Sequence, residues 1–194
     1  MTKIQEIQQA LKGCVKILLR DQSAQQNFNL SADGFWFSFL ALPLVVILNI
    51  IEKSMGFKLA GLTEVSAFEI FGFSASVLVS WAIFLVAASI LSRYLGFADR
   101  FPSFVIVYNW AQFAISLAWT ILSVLLVGLS GGGSTAFFGL LVMFFSYVYL
   151  FLILKDTLDL DSAVAAGVCF VEFAIAILIN YLAIQLFLSD LLVQ

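Results

Sequence analysis

Glu172 is the residue best placed to do chemistry. It is the eleventh residue of a 28-residue block, 162–189, that holds no other charge. In a bilayer a charged side chain at such a depth costs on the order of 3 kcal/mol. On a helix its face-mates are Ala165, Cys169, Ala176 and Asn180, at spacings of seven, three, four and eight. That face is small and polar, whereas much of the rest of the block is Ile, Leu, Val and Phe. A stripe of this kind packs against another helix, because small residues let backbones approach closely. The functional readings of Glu172 are a proton or cation site, or an ion pair with a partner subunit. The structural reading is a neutral acid donating one hydrogen bond to a neighbouring helix.

The other polar side chains in apolar surroundings form a looser set. Asn109 and Gln112 share a face of the third apolar block, with Trp110 between them. Together with Asn49, Asn180 and Gln185 they could line a polar path. They could equally be hydrogen-bonding glue between helices, worth about 0.6–2 kcal/mol each. Asn109, or Gln112 beside it, is the expected partner of Glu172. Gly72, Ser76 and Ser80 recur every four residues, a small-residue face suited to close helix packing. Asp156, Asp159 and Asp161 lack the spacing of a calcium loop, and Asp161 before Ser162 is placed as a helix cap. The glycines at 131–133 are not followed by the Gly-Lys-Ser/Thr of a phosphate loop. No metal or cofactor site is expected.

Histidine is absent from all 194 residues. That removes the commonest metal ligand and the only side chain whose ordinary titration falls between pH 5 and 8. Histidine-ligated haem and a Ser-His-Asp triad are therefore excluded for this chain alone. Cys14 and Cys169 lie in different segments and are not expected to pair.

The elements that position these residues follow from composition. Hydrophobic residues make up 63% of the chain and charged ones 11%, against about 45–50% and 25% in a soluble domain. The apolar residues fall into long charge-free blocks, and about 20 such residues span a bilayer as a helix. Backbone groups in hydrocarbon must be satisfied within the segment, so the blocks are helical. The expectation is an all-α polytopic bundle of about five transmembrane helices, at 34–51, 70–92, 103–129, 135–154 and 162–189. These form a transmembrane domain, 31–194, behind an N-terminal segment and polar link, 1–30. Pro43 suggests a kink in the first span, and 52–69 reads as a loop partly lying on the membrane.

In the N-terminal segment, Ile4, Ile7, Leu11, Cys14 and Leu18 repeat at 3-4-3-4 spacing, which predicts an amphipathic helix. Its basic residues Lys3, Lys12, Lys16 and Arg20 are expected at the membrane surface. With the N-terminus inside, seven Lys and Arg fall on that side (these four with Arg93, Arg100 and Lys155), and only Lys53 and Lys58 on the other. The bias places the N-terminus in the cytoplasm and the C-terminus outside, with a bacterial inner membrane as the expected location. Net charge is −3, and no basic stripe suits nucleic acid.

A cytoplasmic amphipathic segment, five closely spaced spans and Phe101-Pro102 leading into the third span together resemble the Yip1-type family of small membrane proteins. The Asp-Leu-Tyr-Gly-Pro signature of its eukaryotic members is not present, so no family site is carried over. The resemblance implies a non-enzymatic protein that associates with membrane partners or with its own copies. The leading expectation is accordingly an accessory or scaffold protein acting through helix contacts with protein partners, a homo-oligomer or lipid. The alternative is a small proton- or cation-coupled transporter or channel protomer using Glu172. A lipid-modifying enzyme built on the three aspartates is a fainter third.

Overall fold

A computed structural model describes residues 2–59, 61, 65–130 and 134–188, which are almost wholly helical, with no strand among them. Part of the 52–69 connection, the triple glycine and the C-terminal end from 189 onward lie outside the described residues. Helix α1 (Lys3–Leu18) starts at a capping box in which Thr2 and Gln5 satisfy each other's backbone N–H. A 3-10 turn at Ala24–Asn27 follows, then α2 (Ala32–Ser38), capped by Ser31, and α3 (Ala41–Leu59). α4 (Ala67–Tyr94) opens on a second capping box, Ser66 with Glu69. α5 (Phe101–Ser130), α6 (Thr135–Leu158) and α7 (Ser162–Phe187) complete the chain. α6 stops at Asp159, whose φ of 53° cannot continue a right-handed helix.

Five helical segments are long and apolar enough to cross a membrane: α2 with α3, α4, α5, α6 and α7. They close into a ring in the order α3, α5, α6, α7, α4, with α4 returning to α3. α1 and α2 pack on α5 at one end, and α1 also touches α6. That end, the α1 side, is the tightly packed one. Phe84, Phe104, Ile106, Trp110, Ile153 and Leu154 are each no more than 2% exposed there. At the opposite end a smaller cluster of Phe73, Ala183 and Leu188 joins α4 to α7, with Phe57 against it.

Two elements differ from expectation. The first span does not end at residue 51, because α3 runs on to Leu59 and takes Glu52 and Lys53 into the helix. The two charges neutralise each other at 3.1 Å, and the Lys53 ammonium sits 5.5 Å from the centre of the Phe73 ring, so the helix carries them without a break. The interruption falls at residues 39–40 and not at Pro43. Pro43 is the third residue of α3, in the first turn, where a helix has no partner for its N–H anyway.

α1 is also rotated relative to its expected stripe. Its buried face is Glu6, Ala10, Gly13, Cys14 and Ile17, while Ile4, Val15 and Leu18 stay exposed. The small residues on that face allow close approach, and the Phe28 ring lies against Gly13. The Tyr149 hydroxyl on α6 donates to the Cys14 carbonyl at 2.9 Å, and Asn29 donates to the buried Glu6 carboxylate at 3.0 Å. Docking on the bundle therefore takes one face of α1, and the apolar stripe beside it is left for the membrane.

Candidate functional site

Glu172 lies ten residues into α7, about 15 Å along the helix axis and so near the middle of a hydrocarbon layer about 30 Å thick. Its side chain points into the ring of helices. The Tyr108 hydroxyl of α5 donates to Oε1 at 3.4 Å, longer than the usual 2.7–2.8 Å of an O–H···O bond. Tyr147 of α6 lies beside the same carboxyl, and Gln112 lies against the Tyr108 hydroxyl. The second oxygen, Oε2, is buried and has no hydrogen-bond partner. The carboxyl is thus loosely held by two phenols from two other helices, with one oxygen unused.

The side toward α1 is closed. Tyr108 stacks on Phe104, with ring centres 5.5 Å apart, and tilts against Phe84 at 5.1 Å; Trp81 meets it edge-on at 6.1 Å. The opposite side is open and polar. Between α3, α4 and α7 lies a cavity of about 170 Å³ lined by Asn49, Lys53, Ser76, Ser80, Ala176 and Asn180 among others. Across α3, and sharing Asn49, a second cavity of about 320 Å³ reaches Glu52, Ser116, Thr120 and Ser146. Each is large enough for several waters. Ala176, which lines the first cavity, is one helical turn or about 6 Å of backbone rise from Glu172.

The hydroxyls around these cavities donate to their own helices: Ser76 to Phe73, Thr120 to Ser116 and Ser146 to Val142, at 2.7–2.8 Å. Asn49 does the same to Val45 at 3.0 Å. Their oxygens remain as acceptors toward the cavity. Of the two cavities only the first reaches α7, where Ala176 and Asn180 line it together with the Lys53 ammonium. Among the described residues no group of three or more Cys, Asp or Glu side chains could hold a metal ion.

The structure separates the sequence candidates. Glu172, Gln112, Asn180, Ser76, Ser80 and Ala176 belong to this assembly. Asn109 does not, for its Nδ2 donates to Ser38 Oγ at 2.8 Å and ties α5 to α2. The expected Asn109–Glu172 pair is therefore replaced by Tyr108–Glu172, one residue earlier and on another face of α5. Gly72 packs directly on the Phe187 ring of α7, Ala165 is fully buried, and the Cys169 thiol lies 3.9 Å from the Tyr147 carbonyl. Gln185 is exposed. Of the basic residues, Lys3 sits over the Phe37 ring at 4.1 Å and pairs with Glu6, and Lys16 donates to Ser23. Lys12 and Arg20 are exposed.

No family model, curated protein or solved structure matches this chain. Its function has to be read from the site. Tyr108, Tyr147, Glu52 and Lys53 are positions around the candidate site that the sequence reading did not single out. A tyrosine in an apolar block carries no periodic signal that separates a ligand from an interfacial anchor. Glu52 and Lys53 were hidden because a charge pair usually marks the end of a span.

Proposed function

We propose that this chain is a non-enzymatic integral membrane protein that takes up a proton or small cation at Glu172 from the side opposite α1. One observation carries the reading: polar side chains from several spans converge on a cavity lined by Ala176, one turn from a mid-membrane carboxyl with an unpartnered oxygen. In the orientation set by the Lys and Arg bias, that opening faces away from the cytoplasm, as expected for a protein of a bacterial inner membrane with a cytoplasmic N-terminus. On this reading, passage across the membrane would require the Phe84, Phe104 and Tyr108 rings to separate. The test is flux into proteoliposomes under an imposed pH or sodium gradient. Flux that falls at least tenfold in Glu172→Gln, and falls again when Ser80→Leu narrows the cavity, supports the reading. Absence of any Glu172-dependent flux from folded protein defeats it.

A second reading, an accessory or scaffold role of the kind the Yip1-type layout implies, is favoured by a different observation. The outer face of α7 presents Ala163, Ala166, Gly167 and Ala174 exposed, and a Cβ added at Gly167 would meet nothing. The inward stripe of Ala165 and Cys169 is used within the chain, so a membrane partner or second copy would dock on this opposite face. Gly167→Leu should abolish a copurifying partner or shift the oligomeric state, without touching Glu172-dependent flux.

A further inference from the structure

Between α1, α5 and α6 is an apolar groove of about 440 Å³ that Glu172 does not line, although it shares Trp119 and Ser146 with the larger polar cavity. It begins under α1 at Leu11 and Val15 and runs between α5 and α6 past Ala118, Trp119 and Phe145. Only two of its lining residues carry hydroxyls, and neither is free: Ser146 donates to Val142 and Tyr149 to Cys14. The lining is otherwise almost wholly apolar, so an apolar chain is what gains most by entering the groove.

The mouth of the groove has a definite charge. At 100° per residue, Leu11, Val15 and Leu18 lie together on the face of α1 over the groove, and Ala10, Gly13 and Ile17 form the docked face to one side. Lys12 falls on the other flank, with Lys16 behind it. Lys12 is exposed and has no ion-pair partner among the described residues. Lys16 is already engaged with Ser23 and Asp21, and Arg20 lies beyond the end of the helix. A helix lying in the interface with its apolar stripe toward hydrocarbon puts such lysines at headgroup level.

We propose that this groove is a binding site for one phospholipid with an anionic headgroup, from the leaflet on the α1 side. One acyl chain lies along the α5–α6 seam and the headgroup sits against Lys12. The inference stands apart from any role of Glu172.

Trp119 lines the groove and provides the readout. In the Trp36→Phe background, which removes the most exposed indole, the full chain is placed in nanodiscs containing phosphatidylglycerol or phosphatidylcholine with brominated tails. Quenching of Trp119 should be stronger with brominated phosphatidylglycerol at equal mole fraction. Lys12→Gln should lower that preference about fivefold, as expected for one basic group at an anionic surface. Ala118→Phe fills the groove and should lower quenching by both lipids, while circular dichroism reports an intact fold. Equal quenching by the two lipids in the unaltered groove, or a preference that Lys12→Gln leaves unchanged, overturns the proposal. A brominated fatty alcohol, which has a chain but no charge, that quenches as strongly as the anionic phospholipid also overturns it, because the headgroup would then play no part.

Discussion

Replacing Glu172 separates what its shape contributes from what its charge contributes. Glu172→Gln keeps the volume and an acceptor oxygen for the Tyr108 hydroxyl, and adds a donor beside Tyr147. The fold should lose less than about 0.5 kcal/mol, within the range of a substitution that breaks no named interaction. Glu172→Leu removes the acceptor and leaves the Tyr108 hydroxyl facing an alkyl group. A buried donor left unpaired costs about 1–3 kcal/mol. The 3.4 Å separation and the neighbouring Gln112 place this case at the lower end, near 1 kcal/mol, in line with interhelical hydrogen bonds in membranes. Unfolding in mixed micelles, followed by helix content, measures both variants against wild type. Infrared spectra with Glu172→Gln as the difference control then show whether the band lost is that of an acid or a carboxylate. If Glu172→Leu proves as stable as wild type, the carboxyl takes no part in holding α5 to α7. The argument from its burial would then fail.

Further outcomes follow from other contacts. Burial pushes the Cys14 thiol up to about 12, so the folded state favours the neutral thiol. The docking of α1 should be fully present below pH 9 and weaken as pH rises from there toward 12. Maleimide labelling of Cys14 at increasing pH reads this out, and Tyr149→Phe should raise labelling across the whole range by removing a contact that seats α1. Asn109→Ala should cost about 1–2 kcal/mol by leaving Ser38 without its donor, and a double-mutant cycle with Ser38→Ala should give coupling of the same sign. Gly72→Val should destabilise the α4–α7 contact by about 1–3 kcal/mol through overpacking against Phe187. Phe187→Ala should restore part of that loss in a thermal-shift assay.

The five spans were legible because hydrocarbon imposes one rule, sufficient apolar length, and each span carries it even where the first is broken at residues 39–40. The tilt of α1 was not legible. Its docked face is built from Ala10, Gly13 and Cys14, which a hydropathy pattern scores below Leu11 or Leu18, although small size is what close packing selects. Glu172 was visible from its cost alone, and its inward direction followed from its small neighbours. Its partners were not visible, since one helical register separates Tyr108 from Asn109 and only the packing of α5 against α7 and α2 chooses between them. Lys53 was read as a loop residue because its seat against the Phe73 ring is a contact between two helices that no local spacing reveals.

The hydrogen bond from Tyr149 to Cys14 spans 135 residues of chain. At about 5–20 residues per second, the seat for α1 is synthesised roughly ten seconds after α1 itself. Through that interval Glu6 has only its local partners Lys3 and Asn29 with water, and the stripe of Ile4, Leu11, Val15 and Leu18 has only the membrane surface to cover it. Seating α1 is then a closing act of biogenesis, a latch that reports the arrival of α5 and α6 together. A chain truncated after residue 130 should leave Cys14 open to maleimide, whereas the full chain should hide it.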